Sequence, residues 1–290
     1  MLRIKKTLLI SIILLFSLLL IGAKPIKINY PLKRVISLAP NLTEMICLLN
    51  KGDILVGITD ACDYPKDVLK IEKTGPFGNP DLEKILMLKP DIIFYSEVKD
   101  LNFSKKIDDL GIPAIQIDIA SFNDLEQAIL VLGKHLEEKE KAQEIFEAWQ
   151  AKIKHAKINA KWKSKVRVYF ELWKKPLITV GRKSYLHEMI EMAGGVNIAE
   201  KMETAYPKPP QEFVIGADPE IIFLGYEVSG NIEYPESWQK VTAIQKNFIV
   251  SNINLDWLLR PGPRLFQGLD AMKTSIENVR EILEKDKVKQ

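Results

Sequence analysis

The chain has 290 residues, with 41 Lys and Arg against 38 Asp and Glu, 47% hydrophobic and 27% charged residues, two Cys and three His. These fractions describe a core-forming globular protein; they exclude a collagenous, low-complexity or disulfide-scaffold chain, and the length favours two lobes over one core. Arg3, Lys5 and Lys6 all precede the first apolar run, and without that segment the charges balance at 38 of each sign, which leaves no basic excess for nucleic acid.

After the basic residues, Thr7 to Ala23 is almost wholly apolar, broken only by Ser11, Ser17 and Gly22. The run is long for a signal core and slightly short for a membrane span, and the small Ala23 before Lys24 and Pro25 is an acceptable cleavage site. Residues 1–23 are therefore read as a signal peptide and the mature chain as starting near Lys24, with an uncleaved anchor as the alternative. No Cys directly follows the run to carry a lipid. Either way the body is expected outside the cytoplasm, in the periplasm.

Next come short β-rich runs separated by helical ones: Arg34-Val-Ile-Ser-Leu38, Ile54-Leu-Val-Gly-Ile58, Asp91-Ile-Ile-Phe-Tyr95 and Pro113-Ala-Ile-Gln-Ile-Asp118. Such alternation indicates a parallel α/β sheet. Ser121-Phe-Asn-Asp124 opens a helix in the manner of a capping box. Helical sequence continues to about Lys161, with Ala142, Ile145, Phe146, Trp149, Ile153 and Ala156 at three- and four-residue spacing, so one side packs and the other is wet. From Glu138 to Ala160 this helix is about 35 Å long at 1.5 Å per residue, enough to bridge two lobes. The pattern then restarts with Val166–Phe170, Leu177–Val180, Glu220–Leu224 and Asn247–Val250, and closes with a helix from about Arg264 to Lys285. The expected organisation is an N-terminal lobe over 24–137, an inter-lobe helix over 138–161 and a C-terminal lobe over 162–290.

The halves match in detail. Glu83 precedes Pro90-Asp-Ile-Ile-Phe94 by seven residues, and Glu212 precedes Pro219-Glu-Ile-Ile-Phe223 by seven; Phe77 and Tyr206 stand six residues before each glutamate, in loops rich in Gly or Pro. The helix dipole alone favours a first-turn glutamate by about 0.3–1 kcal/mol, but it does not explain the matched context. The match suggests pseudo-symmetric lobes whose loops face each other across a cleft.

Catalytic and metal-binding patterns are missing. His135, His155 and His187 have no ligand-spaced neighbours, and no nucleophile elbow, phosphate loop or dinucleotide fingerprint occurs. Gly194-Gly195 after Met189–Ala193 reads as a helix end. Cys47 and Cys62 are a possible disulfide in an exported chain; a small buried hydrophobe and an exposed thiol are the competing readings.

Arg34-Val-Ile-Ser-Leu-Ala-Pro-Asn-Leu-Thr-Glu44, Leu55–Pro65, Asn79–Asp91, Ala193–Ile198 and Arg260-Pro-Gly-Pro-Arg264 together resemble the periplasmic cobalamin-binding proteins of ABC importers, from about Val35 to the end. The wider superfamily also carries siderophores and haem. The resemblance implies the class III periplasmic-binding-protein fold: two Rossmann-like α/β lobes joined by one long rigid helix. It implies that a monomer captures a corrinoid, with cobalamin as transported ligand and neither cofactor nor metal of its own, and delivers it to an ABC permease and its ATPase. By the same resemblance, Glu83 and Glu212 dock on permease arginines, Phe77 and Tyr206 pack on the corrin, and Asp256 and Arg260 hydrogen-bond it. At four-residue spacing Asp256 and Arg260 would also simply pair with each other. Two family aromatics are replaced, by Ala61 and Ile178, with Trp173 or Trp257 as candidate substitutes. An iron-siderophore carrier would draw on Arg182, Lys183, Arg260 and Arg264, and a haem carrier on an axial His or Tyr. A secreted α/β enzyme or an anchored interaction protein is the reading from another class.

Overall fold

The structure, a computed structural model, describes residues 28–161 and 164–289; the expected signal peptide and the start at Lys24 lie outside the described residues. The first four β-rich runs form β1 (Val35–Ser37), β2 (Leu55–Ile58), β3 (Ile92–Tyr95) and β4 (Ala114–Gln116). They make one parallel sheet in the order β2-β1-β3-β4. These strands are apolar on both faces because both are covered: Val35, Ile92 and Phe94 pack on one side, Ile36, Ile93 and Tyr95 on the other. Helices α1 (Pro40–Leu48), α2 (Leu82–Leu88) and α3 (Phe103–Asp109) supply the cover. Pro40 opens α1, where its missing N–H costs nothing.

Ser121 caps α4 (Phe122–His135), its Oγ accepting from the Asp124 amide at 3.1 Å while the Asp124 carboxylate accepts from the Ala120 amide at 3.1 Å. The long helix is α5 (Lys139–Lys161), and Ala142, Ile145, Trp149, Ile153, Ala156 and Ala160 form its buried stripe. It packs against α4 on one side and α6 (Tyr185–Met192) on the other, so it touches both halves of the chain. The last helix, α10 (Leu265–Val288), adds Phe266, whose ring lies 5.7 Å from Trp149 and 5.9 Å from Phe122. One continuous apolar cluster therefore runs from Val35 and Phe94 through Trp149 and Phe266 to Val168 and Phe223.

The second sheet comprises β5 (Val166–Trp173), β6 (Ile178–Thr179), β7 (Gly195–Asn197), β8 (Ile221–Leu224) and β9 (Ile249–Val250), in the order β6-β5-β8-β9 with β7 also pairing β5. Two features differ from the sequence reading. β6 runs antiparallel to β5, because only the tight turn over residues 174–177 joins them. Gly194 ends α6 at φ +91° as expected, but Gly195 opens β7, where a Cβ would come within 2.5 Å of the Val168 side chain. Three further helices, α7 (Gln211–Ala217), α8 (Thr242–Gln245) and α9 (Leu255–Leu259), complete the second half.

The internal repeat extends to single hydrogen bonds. α2 ends at Lys89 (φ +46°) and α7 at Asp218 (φ +43°), both left-handed and both followed by Pro. Asp91 then accepts from the Arg34 amide at 2.8 Å, and Glu220 from the Arg167 amide at 2.8 Å. The Arg34 Nε donates to the Leu88 carbonyl at 2.8 Å, the Arg167 Nε to the Asp218 carbonyl at 2.7 Å. Each arginine thus ties the end of a helix to the start of a central strand.

Candidate functional site

In a parallel sheet the segments leaving the C-terminal strand ends are placed to hold ligands. Here they line an inter-lobe cavity of about 230 Å³: Pro40 and Asn41 follow β1, Ala61 follows β2, and Ser96 and Glu97 follow β3. Leu259, Arg260 and Pro261 close it from the second half, and the Asn41 side-chain amide donates across the gap to the Pro261 carbonyl at 3.1 Å.

Phe77 forms part of this wall and is 38% exposed. Its loop is anchored by backbone bonds from Asp60 to the Gly75 carbonyl at 2.9 Å and from Lys99 to the Gly78 carbonyl at 2.9 Å. Gly75 (φ +103°) and Gly78 (φ +78°) take the conformations this loop needs. Tyr206 occupies the corresponding loop of the second half, 47% exposed. That loop is held by Gly181, whose amide donates to the Ala205 carbonyl at 2.8 Å and where a Cβ would stand 2.1 Å from the Thr204 carbonyl oxygen. Burial pushes the Tyr206 phenol above the usual tyrosine range, against a lowering bond from Ser184, and the carboxylate of Glu97 adds to the rise.

Asp256 and Arg260 do pair, Arg260 Nε lying 3.0 Å from Asp256 Oδ1, but they belong to a larger network. Arg260 Nη1 also reaches Asp63 Oδ1 at 2.5 Å, and that bond holds the Asp63 carboxyl below its usual range. Arg264 grips Glu44 with two bonds, Nε to Oε2 at 3.0 Å and Nη2 to Oε1 at 2.7 Å, and meets Asp256 at 3.3 Å. Its guanidinium lies 4.4 Å from the centre of the Tyr64 ring. Glu44 is only 4% exposed, so burial raises its pKa although Arg264 pulls it down. The network joins the two halves, with Glu44 and Asp63 on the first and Asp256, Arg260 and Arg264 on the second.

The remaining candidates lie elsewhere. Glu83 and Glu212 are exposed in the first turns of α2 and α7, and both helices start on the strand-C-terminal side of their sheets, as the cleft does. Arg182 faces Glu203 at 4.0 Å, outside the network around Arg260 and Arg264. The Tyr30 hydroxyl and His135 Nδ1 share a hydrogen bond at 2.9 Å, His155 pairs with Asn159 on the wet side of α5, and His187 on α6 lies against Asn197 of β7, so none lines the cavity. Among the described residues no group of three or more His, Cys, Asp or Glu is arranged to hold a metal. No helix among them is long and apolar enough to cross a membrane.

The possible disulfide is corrected: Cys47 and Cys62 are free thiols. The buried Cys62 Sγ turns inward to the hydroxyls of Thr59 at 3.1 Å and Thr43 at 3.2 Å. Cys47 lines a separate hollow of about 740 Å³ with Gly52, Leu55 and Pro65, where burial pushes its thiol up to about 11. That hollow opens at the N-terminal end of β2, away from the cleft, and presents no aromatic ring.

The comparisons with known proteins agree with this architecture. The family model described as periplasmic binding protein matches residues 35–251. A vitamin B12-binding protein of Vibrio parahaemolyticus is 28% identical over 256 residues, covering 87% of this chain and 92% of that protein. An uncharacterized ABC transporter substrate-binding lipoprotein of Bacillus subtilis is 28% identical over 253 residues, covering 84% of this chain and 80% of its own length. Among solved structures, the periplasmic vitamin B12-binding protein of Vibrio cholerae superposes with a TM-score of 0.75 at 27% identity, covering 86% of this chain and 98% of that one.

Proposed function

The chain belongs to the periplasmic binding protein family, and from that premise we propose that it captures a corrinoid, cobalamin, between its lobes and hands it to an ABC permease without covalent chemistry. In this reading residues 1–23 export the protein, residues 24–137 and 162–290 are the lobes, and residues 138–161 hold them at a near-fixed distance. The names of relatives that cover most of the chain support the ligand class.

The observation that carries the reading is the chemistry of the cleft. Phe77 and Tyr206 offer exposed rings on matching loops of the two halves, as a large ring with apolar faces requires. A cavity of about 230 Å³ lies below the roughly 300–1,000 Å³ of pockets that enclose a small molecule, so a corrin lies in the open cleft with its amide rim reaching Asp256 and Arg260. Glu44, Asp63 and Asp256 surround Arg260 and Arg264, so these two guanidinium groups are already paired and are poor partners for an anionic siderophore. Haem is disfavoured differently: no histidine lines the cavity.

Glu83 and Glu212, exposed at equivalent positions on the cleft side, are the proposed permease contacts. The test of the ligand class is quenching of tryptophan fluorescence by cobalamin, cobinamide, haem and a ferric siderophore in turn. Saturable quenching by the corrinoids alone is expected. Saturation by an iron chelate, with none by cobalamin, would refute the corrinoid reading and leave the carrier role.

A further inference from the structure

The internal repeat carries information about the C-terminal wall of the cleft that neither cavity outline nor local sequence shows. Ladder registers fix the correspondence: Val35 pairs with Ile92 as Val168 pairs with Ile221, and Ser37 pairs with Phe94 as Phe170 pairs with Phe223. β3 and β8 end at matching positions, so Glu97 and Tyr226, each two residues past its strand, correspond. Glu97 lines the cavity from the N-terminal half. β8 therefore delivers Tyr226 to the equivalent place on the other side, and Trp173, at the end of the neighbouring β5, stands beside it.

These two aromatic residues are built as one unit. Their rings meet edge to face, with centroids 6.2 Å apart and planes at 70°. Trp173 is 52% exposed, although the indole is among the side chains with most to gain from burial. Its polar edge is already satisfied, Nε1 donating to the Lys175 carbonyl at 2.9 Å, so what it presents outward is ring surface. Across the β5–β6 pair its partner is Ile178, which extends the apolar surface beside it. Behind it, the Tyr226 hydroxyl donates to Oε1 of the fully buried Glu171, a bond that fixes the tyrosine ring from the strand side.

We infer that Trp173 and Tyr226 form a second aromatic platform of the cleft, on which a flat apolar face of the ligand rests, with Glu171 as the residue that positions Tyr226. The inference rests on the reading of the cleft as a macrocycle site. The platform takes ligands by planar contact and adds no charge, so it favours an extended ring over a compact anionic chelate.

The test is titration of the protein with cyanocobalamin, comparing wild type with Trp173→Ala, Trp173→Phe, Tyr226→Phe and Phe77→Ala. Trp173→Ala is expected to raise Kd about tenfold and Trp173→Phe to stay within about threefold of wild type. Tyr226→Phe keeps the ring but loses its tether, and is expected to fall between them. Because Trp173 is half exposed, its variants are expected to keep the wild-type Tm, which separates a lost contact from a damaged fold. Unchanged affinity in Trp173→Ala alongside a loss in Phe77→Ala would overturn the platform and leave the cleft reading in place. Failure of the wild-type protein itself to bind cyanocobalamin would overturn both.

Discussion

The bond most exposed to a decisive perturbation is the one between Glu44 and Arg264, which are 220 residues apart and nine-tenths buried. In Glu44→Gln the shape is kept, the negative charge is lost, and an amide donor is set against a guanidinium that also only donates. Breaking a buried ion pair by removing one partner costs about 3–5 kcal/mol. Here Arg264 keeps Asp256 at 3.3 Å and the Tyr64 ring at 4.4 Å, which places the expected loss at the lower end, about 3 kcal/mol. With a urea slope of about 3 kcal/mol per molar for a chain of this size, the unfolding midpoint should fall by about 1 M. Replacing both partners by apolar residues, Glu44→Leu with Arg264→Met, should recover most of the loss, because a well-packed apolar pair avoids the desolvation of two charges. A Glu44→Gln midpoint within about 0.2 M of wild type, or a double variant no better than the single one, would show that the two halves are not held by this pair.

Four further outcomes are expected. Tyr206→Ala should weaken cobalamin binding by about 1–3 kcal/mol, measured by equilibrium titration, and unchanged affinity would make the ring structural. Reversing charge at Glu83 and Glu212 together should spare ligand affinity and abolish uptake through the permease; uptake that survives refutes the docking role. Thiol titration of the unfolded, unreduced chain should count two free groups, and reductant should leave Tm unchanged, whereas a reductant-dependent Tm would mean a bridge. Burial raises the Glu171 carboxyl above its ordinary value, so the folded state holds that proton more tightly than the unfolded one. Its contribution to stability therefore falls as pH rises from about 4.5 through the raised folded value, and Glu171→Gln, which can still accept from Tyr226, should remove that fall. A stability difference between the two proteins that is flat across this window would contradict the assignment.

Much of the architecture could be read in the sequence because it is local. The strands announce themselves as short apolar runs, and α5 as a 23-residue stripe spaced at three and four. The repeat was visible in the stretches around Glu83 and Glu212 because the same left-handed helix end and the same Pro recur before β3 and β8. The arginine brace was also within reach: Arg34 directly precedes β1, Arg167 stands at the start of β5, and Asp91 and Glu220 each follow the proline. That signal lay in a comparison of single residues between the halves, not in any periodicity. β7 was hidden because Gly194 and Gly195 looked like a helix end, and only the second glycine serves a strand. The Glu44–Arg264 and Asp63–Arg260 pairs had no local trace, since charges about 200 residues apart meet only once the lobes have packed. For the same reason Arg260 and Arg264 looked available to an anionic ligand, whereas the fold surrounds them with carboxylates. The free thiols follow the same logic, because spacing permits a bridge that the inward turn of Cys62 toward Thr43 and Thr59 does not make.

The most direct measurement is a calorimetric titration of the protein with cobalamin. The account predicts saturable heat at one to one, with the signal lost when Phe77 and Tyr206 are both replaced by Ala. Absence of saturable heat from the wild-type protein, or heat unchanged in the double variant, would contradict capture of a corrinoid between these two loops.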